Sequence, residues 1–396
     1  MKLSKKIQAM ELSPIRKFVP YADAARAAGK KVYGLNIGQP DIKTPRAFFD
    51  AVKNFDQDVL AYANSQGIPE LLEALVGYYK RLGLDFEKKD LLVTTGGSEA
   101  ISMLMTALLD DDDEVIMAEP FYTNYKTFIS AAGGKLVGIP TTAEEGYQYA
   151  VKEKIEAVIT PKTKAICIIN PGNPTGKVLT HDEMKLIVDI AVANDLYIIA
   201  DEVYREFVYD GKTMDTFGSF PEAAQNVVIV DSISKRFSAC GARMGSIASK
   251  NEELMGNLMK LCQARLCSAT LDQVGAAALY NMDPSYFNEI KAEYEHRRNV
   301  AVEALNEIEG IQYGVPEGAF YITCKLPVDD AEKFLMFLLT EFDVNGETCM
   351  FAPAGGFFTN PEAGKSDMRI AYVLKAEDMK AGINIIKEGI KAYNAR

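Results

Sequence analysis

Three polar residues stand 31 positions apart, each closing a short apolar run: Asn170 after AICII (165–169), Asp201 after LYIIA (196–200) and Ser232, with Asp231, after VVIV (227–230). That interval is about the length of one strand–helix–strand unit. The runs are almost continuously apolar rather than alternating, as strands buried on both faces must be. Helix-like stretches lie between them. One of these, 180–194, opens with Thr180 and Glu183 at the spacing of a capping box. LLVTT (91–95), the helix pattern over 99–109 and EVIMA (114–118) extend the rhythm upstream. The predicted fold is therefore α/β, a mostly parallel sheet covered by helices on both faces. Such sheets bind ligands outside the carboxyl ends of their strands. Gly96-Gly97-Ser98, Asn170, Asp201 and Asp231-Ser232 are thus expected around one crevice. Strands often end in polar residues, but that habit accounts for one such cluster more easily than for four.

The C-terminal third has another rhythm. A long helix pattern over 286–309 is followed by a strand (318–326), an amphipathic helix (331–342), a second strand (368–373) and a final helix (376–393). These predict a smaller α+β domain, joined by the N-terminal segment. The expected organisation is a large domain over 45–285 and a small one built from 1–44 and 286–396.

Composition removes whole classes of function. The chain has 43 Lys and Arg against 55 Asp and Glu, a net charge of −12, and no basic run, so a nucleic-acid partner is not expected. Its two histidines, His181 and His296, cannot make a three-histidine metal site, and no CxxC pair is present among six cysteines. No metal is expected, and the cysteines read as free thiols of a reducing compartment. No apolar run approaches the ~20 residues that span a bilayer. The N-terminal lysines precede no apolar segment of the kind secretory signals carry. A cytoplasmic protein with no membrane partner is expected.

The strand-end clusters carry specific chemistry. Gly96-Gly97-Ser98 lies between a strand and a helix, where glycine backbone and free helix N–H groups can approach an anion, although glycine also simply ends strands. Neither GxGxxG nor GxxxxGK[ST] is present. Ser232-Ile-Ser-Lys235 and Gly241-Ala-Arg243-Met-Gly245 combine an amine with a hydroxyl and a guanidinium able to hold phosphate. An anchored phosphate beside a reactive amine is what a pyridoxal phosphate site requires. Asp201 either caps a following helix or pairs with a pyridinium nitrogen, keeping that nitrogen protonated. Asn170-Pro-Gly-Asn173-Pro-Thr-Gly176 is a rigid turn that can present Asn173 in one orientation.

With these residues in place, the chain resembles the class I/II, fold-type I pyridoxal-phosphate-dependent aminotransferases of the aspartate and aromatic aminotransferase superfamily. The matching motifs are Ser232-Ile-Ser-Lys235-Arg-Phe237, Gly241 to Gly245, Asn170 to Gly176 and Asp201 to Tyr204. The resemblance runs from LNIGQPD (35–41) to MRIAY (368–372). It implies pyridoxal 5′-phosphate as cofactor, bound covalently by Lys235, which also moves the substrate proton. It implies that Asp201 meets the ring nitrogen, and that Tyr204 and Asn173 meet the ring's phenolic oxygen. Gly97, Ser98, Ser232 and Arg243 would hold the phosphate, and Tyr122 would stack on the ring. Tyr62, in LAYANSQG, would reach the phosphate from the partner of a homodimer. Gly38 and Arg369 would receive the substrate α-carboxylate, a task for which a planar guanidinium fork is suited. The small domain carrying Arg369 is expected to close over substrate.

The implied function moves an amino group from an L-amino acid to a 2-oxo acid by a ping-pong mechanism, with aspartate among the candidate donors. A carbon–sulfur β-lyase of the same fold would share the site. A transcriptional regulator would need a DNA-binding module, which an acidic chain reaching LNIGQPD by residue 35 is not expected to carry. One branch of the family places a lysine after the Gly-Gly turn to read a second substrate carboxylate; here that position is Ser98. Arg265, in QARLCSA, is the alternative reader, reaching across the dimer, or else an interface salt bridge.

Overall fold

The computed structural model describes residues 1–10 and 12–396. Seven strands form the central sheet, in the order Leu91–Thr94, Gly245–Ala248, Val227–Ser232, Tyr197–Asp201, Thr163–Ile169, Glu114–Ala118 and Lys135–Ile139. All pairings are parallel except the two made by Gly245–Ala248. The predicted runs are all present. Gly245–Ala248 and Lys135–Ile139 are additions that the periodicity does not announce. GSIA is only four residues long, and it fits where it does because Gly245 has no side chain. A Cβ there would meet Gly96 C and Gly97 N at 2.6 and 2.8 Å.

Both faces are covered, and successive strand residues serve opposite ones, as the two-residue period of a strand demands. Ile198 packs with the helices Pro69–Arg81, His181–Ala193 and Thr270–Tyr280. Ile199 packs with Gly96–Leu108 and Glu252–Arg265 on the other side. The helix His181–Ala193 begins with the expected capping box: Thr180 N donates to Glu183 at 2.7 Å and Glu183 N to Thr180 Oγ1 at 3.3 Å.

The C-terminal elements build a four-stranded antiparallel sheet, in the order Ala352–Pro353, Asp367–Ala371, Tyr321–Lys325 and Gln312–Tyr313. A parallel pair, Lys31–Gly34 with Glu347–Met350, ties the N-terminal segment to it. Helices Tyr286–Leu305, Ala331–Thr340 and Ala376–Asn394 share one core with these strands. Four cysteines are buried and all six are free, but Cys240 and Cys267 are only partly covered. No helix among the described residues is long and apolar enough to cross a membrane.

Candidate active site

The carboxyl ends of the parallel strands open on a crevice of about 530 Å³. Its amine sits on a single turn. Val227–Ser232 ends in Ser232, whose hydroxyl caps the short helix Ile233–Arg236 by accepting from Ser234 N at 3.1 Å and donates to Met244 O at 2.8 Å. This turn sends consecutive side chains opposite ways. Lys235 enters the crevice, where its Nζ donates to Gly38 O at 2.9 Å. Arg236 goes into the core, where its Nη2 lies 2.5 Å from Asp231 Oδ1 and its guanidinium 4.7 Å from the Tyr78 ring.

Asp201 ends the neighbouring strand. It accepts from Tyr125 OH at 2.7 Å and from Val203 N at 3.3 Å. The residues after it form a turn, so it caps no helix. Burial pushes its pKa up to about 6, against the lowering effect of those two donors. The result is a carboxylate, ionised at neutral pH, facing a crevice that also holds an amine.

At one end of the crevice, Gly96 opens the helix Gly96–Leu108 with φ +74°, and a Cβ on it would lie 2.5 Å from Arg243 Nη2. The expected helix start at 99 thus moves back onto the glycines themselves, because only glycine lets the guanidinium lie over the helix terminus. Arg243 adopts the left-handed conformation and donates from Nη1 to Cys240 O at 2.9 Å. With Gly97, Ser98 and Ser232 also lining the crevice, this end offers hydroxyls, helix N–H groups and a guanidinium, the donor set a phosphate needs.

At the other end, Arg369 lies 2 % exposed in the strand Asp367–Ala371. It donates from Nη2 to Asn36 O at 2.5 Å and from Nη1 to Asn173 Oδ1 at 3.2 Å. Its Nε has no acceptor, and no carboxylate among the described residues pairs with it. A buried guanidinium without a counter-charge is costly, and an incoming carboxylate would supply both the charge and the missing acceptor. Asn173 Nδ2 also approaches Tyr204 OH at 3.4 Å, and Tyr204 OH lies 2.9 Å from Tyr321 OH.

The crevice therefore gathers Gly38, Gly97, Ser98, Tyr122, Asn173, Asp201, Tyr204, Ser232, Lys235, Arg243 and Arg369. Of the strand-end residues expected there, Asn170 and Asp231 do not line it: Asn170 Oδ1 accepts from Leu179 N at 3.0 Å, and Asp231 pairs with the buried Arg236. Two residues given a role in the site, Tyr62 and Arg265, also stand apart. Tyr62 is 80 % exposed and lines a separate surface hollow with Ala61 and Asn64. The Arg265 guanidinium is engaged within its own chain by Glu99 at 2.5 Å, Ser268 Oγ at 2.9 Å and the carbonyls of Ser65 and Val93. The sequence reading missed Tyr125, Asn36, Tyr321 and Arg16. Tyr125 and Tyr321 read as ordinary core aromatics. Asn36 lies inside the LNIGQPD motif and acts through its carbonyl, so its side-chain type gives no signal.

Comparison with known proteins follows the same lines. Residues 30–386 match the family model described as aminotransferase class I and II. An aspartate aminotransferase of Bacillus subtilis (strain 168) is 30% identical over 407 residues, covering 100% of both chains. An aromatic-amino-acid aminotransferase of Thermococcus litoralis is 31% identical over 398 residues, covering 99% of each. The structure is similar to that of Thermus thermophilus aspartate aminotransferase with maleate, with a TM-score of 0.89 and 27% identity over 98% of this chain and 100% of the other.

Proposed function

This chain belongs to the class I and II aminotransferases, pyridoxal-5′-phosphate enzymes that move an amino group from an amino acid to a 2-oxo acid, and from that premise we propose that its reaction takes place between Lys235, Asp201 and Arg369. The observation that supports this most is their meeting in one crevice although each comes from a different element. The donor groups also fit the cofactor: an amine, a buried carboxylate, and a phosphate cradle in which a Cβ on Gly96 would displace Arg243.

Bound there, pyridoxal phosphate supplies an electron-accepting ring conjugated to the substrate nitrogen. The protein's residues do the rest. Lys235 Nζ would hold the cofactor, and the same amine is the base that would take and hold the proton from the substrate Cα. Asp201 keeps the ring nitrogen protonated by its fixed charge. Asn173 and Tyr204, both lining the crevice, would offer donors to the cofactor ring's oxygen, and Tyr122 would pack against the ring. Gly97, Ser98, Ser232 and Arg243 hold the phosphate. Arg369, beside Gly38, orients the α-carboxylate. Both half-reactions use the one site, which makes the kinetics ping-pong.

The finer reading is a cytoplasmic homodimer in which Tyr62 completes the partner's phosphate site. Residues 45–285 form the cofactor-bearing body, and 1–44 with 286–396 form the smaller domain that brings Arg369 to the substrate. Aspartate is the proposed donor, in keeping with the relatives named for it. Borohydride treatment of the yellow holoenzyme should fix the pyridoxyl group on Lys235 alone, as peptide mapping reads it. Label on another lysine, or no transamination from any amino donor to 2-oxoglutarate, pyruvate or oxaloacetate, would overturn the assignment.

A further inference from the structure

The charged lining of the crevice is four cations, Arg16, Lys235, Arg243 and Arg369, and one carboxylate, Asp201. They gather a formal charge of +3 at one place in a chain of net charge −12. In the proposed reaction Lys235 holds the cofactor, Arg243 its phosphate and Arg369 the α-carboxylate. Arg16 has no such task. Among the described residues, no carboxylate and no carbonyl accepts from its guanidinium, although the surface of this chain is rich in acid. We propose that Arg16 reads the side-chain carboxylate of a dicarboxylic substrate.

Its position is built rather than accidental. Arg16 N donates to Ser13 O and Val19 N to Arg16 O, each at 3.1 Å, so the residue sits on a closed turn. The turn is clamped by the two residues before Arg16. Ile15 is buried against Ala354, Phe357 and Phe358, and Tyr122 packs on the same cluster. Pro14 packs so closely on Gly356 that a Cβ there would approach its Cγ to 2.7 Å. Phe357 is also the ring that lies 5.3 Å from the Arg369 guanidinium. One aromatic side chain thus supports the turn that carries Arg16 and flanks the arginine that takes the α-carboxylate. Arg16 is also near enough to Tyr122 for its charge to oppose the burial that pushes that phenol up.

The other cations are not free for this task. The Gly-Gly-Ser98 turn carries no positive side chain, and Arg265 spends both terminal guanidinium nitrogens on Glu99, Ser268 and two backbone carbonyls. A second substrate carboxylate entering the crevice would therefore find Arg16 as its available partner. A guanidinium–carboxylate contact of this kind discriminates strongly, because a substrate without the carboxylate loses the interaction while keeping every other one.

The inference rests on the transaminase reading of the crevice, and the test separates the two. The holoenzyme is assayed with aspartate, glutamate, alanine and phenylalanine as donors, before and after Arg16→Gln and Arg16→Lys. The wild type should prefer aspartate or glutamate. Arg16→Gln should lower kcat/KM for those two by roughly 10- to 100-fold while changing alanine and phenylalanine less than about threefold. Arg16→Lys should recover part of the loss. Calorimetric titration gives a readout independent of turnover: maleate should bind the Arg16→Gln holoenzyme roughly tenfold or more weaker, and the monocarboxylate crotonate equally well. Wild-type activity confined to monocarboxylate donors overturns this inference and leaves the transaminase intact. So does a uniform loss across all donors, which would make Arg16 a support for its turn, or an Arg16→Gln enzyme with its aspartate activity unchanged. Absence of transamination from every donor overturns the underlying reading instead.

Discussion

Asp201 is held between opposing demands. In the reaction proposed above its charge pairs with the cofactor's ring nitrogen, yet burial makes that charge costly and lifts its pKa to about 6 in the cofactor-free protein. A carboxyl whose pKa rises on folding stabilises the fold while protonated, and that contribution is lost as pH climbs through the folded value. Cofactor-free protein should therefore lose stability between about pH 4 and pH 6, by ~3 kcal/mol for a shift of about two units. Asp367, also pushed up to about 6 by burial, adds to the same trend. Asp201→Asn keeps an acceptor for Tyr125 and carries no charge. Its cofactor-free melting temperature should exceed the wild type's at pH 8 and match it near pH 4. Transamination should fall by roughly 10²- to 10³-fold, the size of losing one fixed charge from a dry site. Equal melting temperatures at pH 8 would show that burial does not penalise this carboxylate.

The short helix Ile233–Arg236 depends on what lies beneath it. Arg236 is fully buried and Asp231 is 1 % exposed. Arg236 also faces Glu206 at 3.7 Å, and Tyr78 OH donates to the same Glu206 oxygen at 3.0 Å. A buried pair can contribute little net stability, but removing one member strands the other charge at a cost of about 3–5 kcal/mol. Arg236→Leu should therefore be severely destabilising in urea titration. Arg236→Leu combined with Asp231→Leu should be less destabilised than the sum of the two single variants, since the stranded charge is gone. Strict additivity would mean that the pair does not anchor the turn that aims Lys235.

At the scale of the molecule, the segment 59–62 places Val59, Leu60 and Tyr62 on the surface at 69 %, 59 % and 80 % exposure. Large apolar side chains grouped in this way mark a contact surface, and the homodimer proposed above would cover them. The test is complementation. A Lys235→Ala subunit retains Tyr62, and a Tyr62→Ala subunit retains Lys235, so mixing and re-annealing the two should produce hybrid dimers with one intact site. Activity should rise well above that of either variant alone. No recovery on mixing, or a fully active monomer by sedimentation, would remove Tyr62 from the partner's site.

Most of the crevice was legible in the sequence because it obeys local rules. Continuous apolar runs make buried parallel strands, and the residues that follow such strands meet at one edge, so Asp201, Ser232 and Lys235 could be placed together without coordinates, whereas Asn170, expected with them, turns inward to accept from Leu179 N. Arg369 was recognisable as a charge inside an apolar strand, but not where it points. Its partners Asn36 and Asn173 lie 333 and 196 residues away, and only the packing of the small sheet on the large one brings them to it. The antiparallel strand Gly245–Ala248 escaped notice for a related reason: four residues carry no period, and their place is set by how closely Gly245 can approach Gly96 and Gly97. Arg16 lies furthest from sequence inference. Nothing in SPIRKF announces a ligand, and its position follows from Ile15 and Pro14 seating against residues near 356, more than 300 positions along the chain. Hydrophobic periodicity and motif chemistry are properties of neighbours along the chain, so the sequence by itself determined the sheet and the strand-end residues that line its crevice. Which charges face an incoming substrate depends on contacts between distant segments, and that was decided only when the two cores packed together.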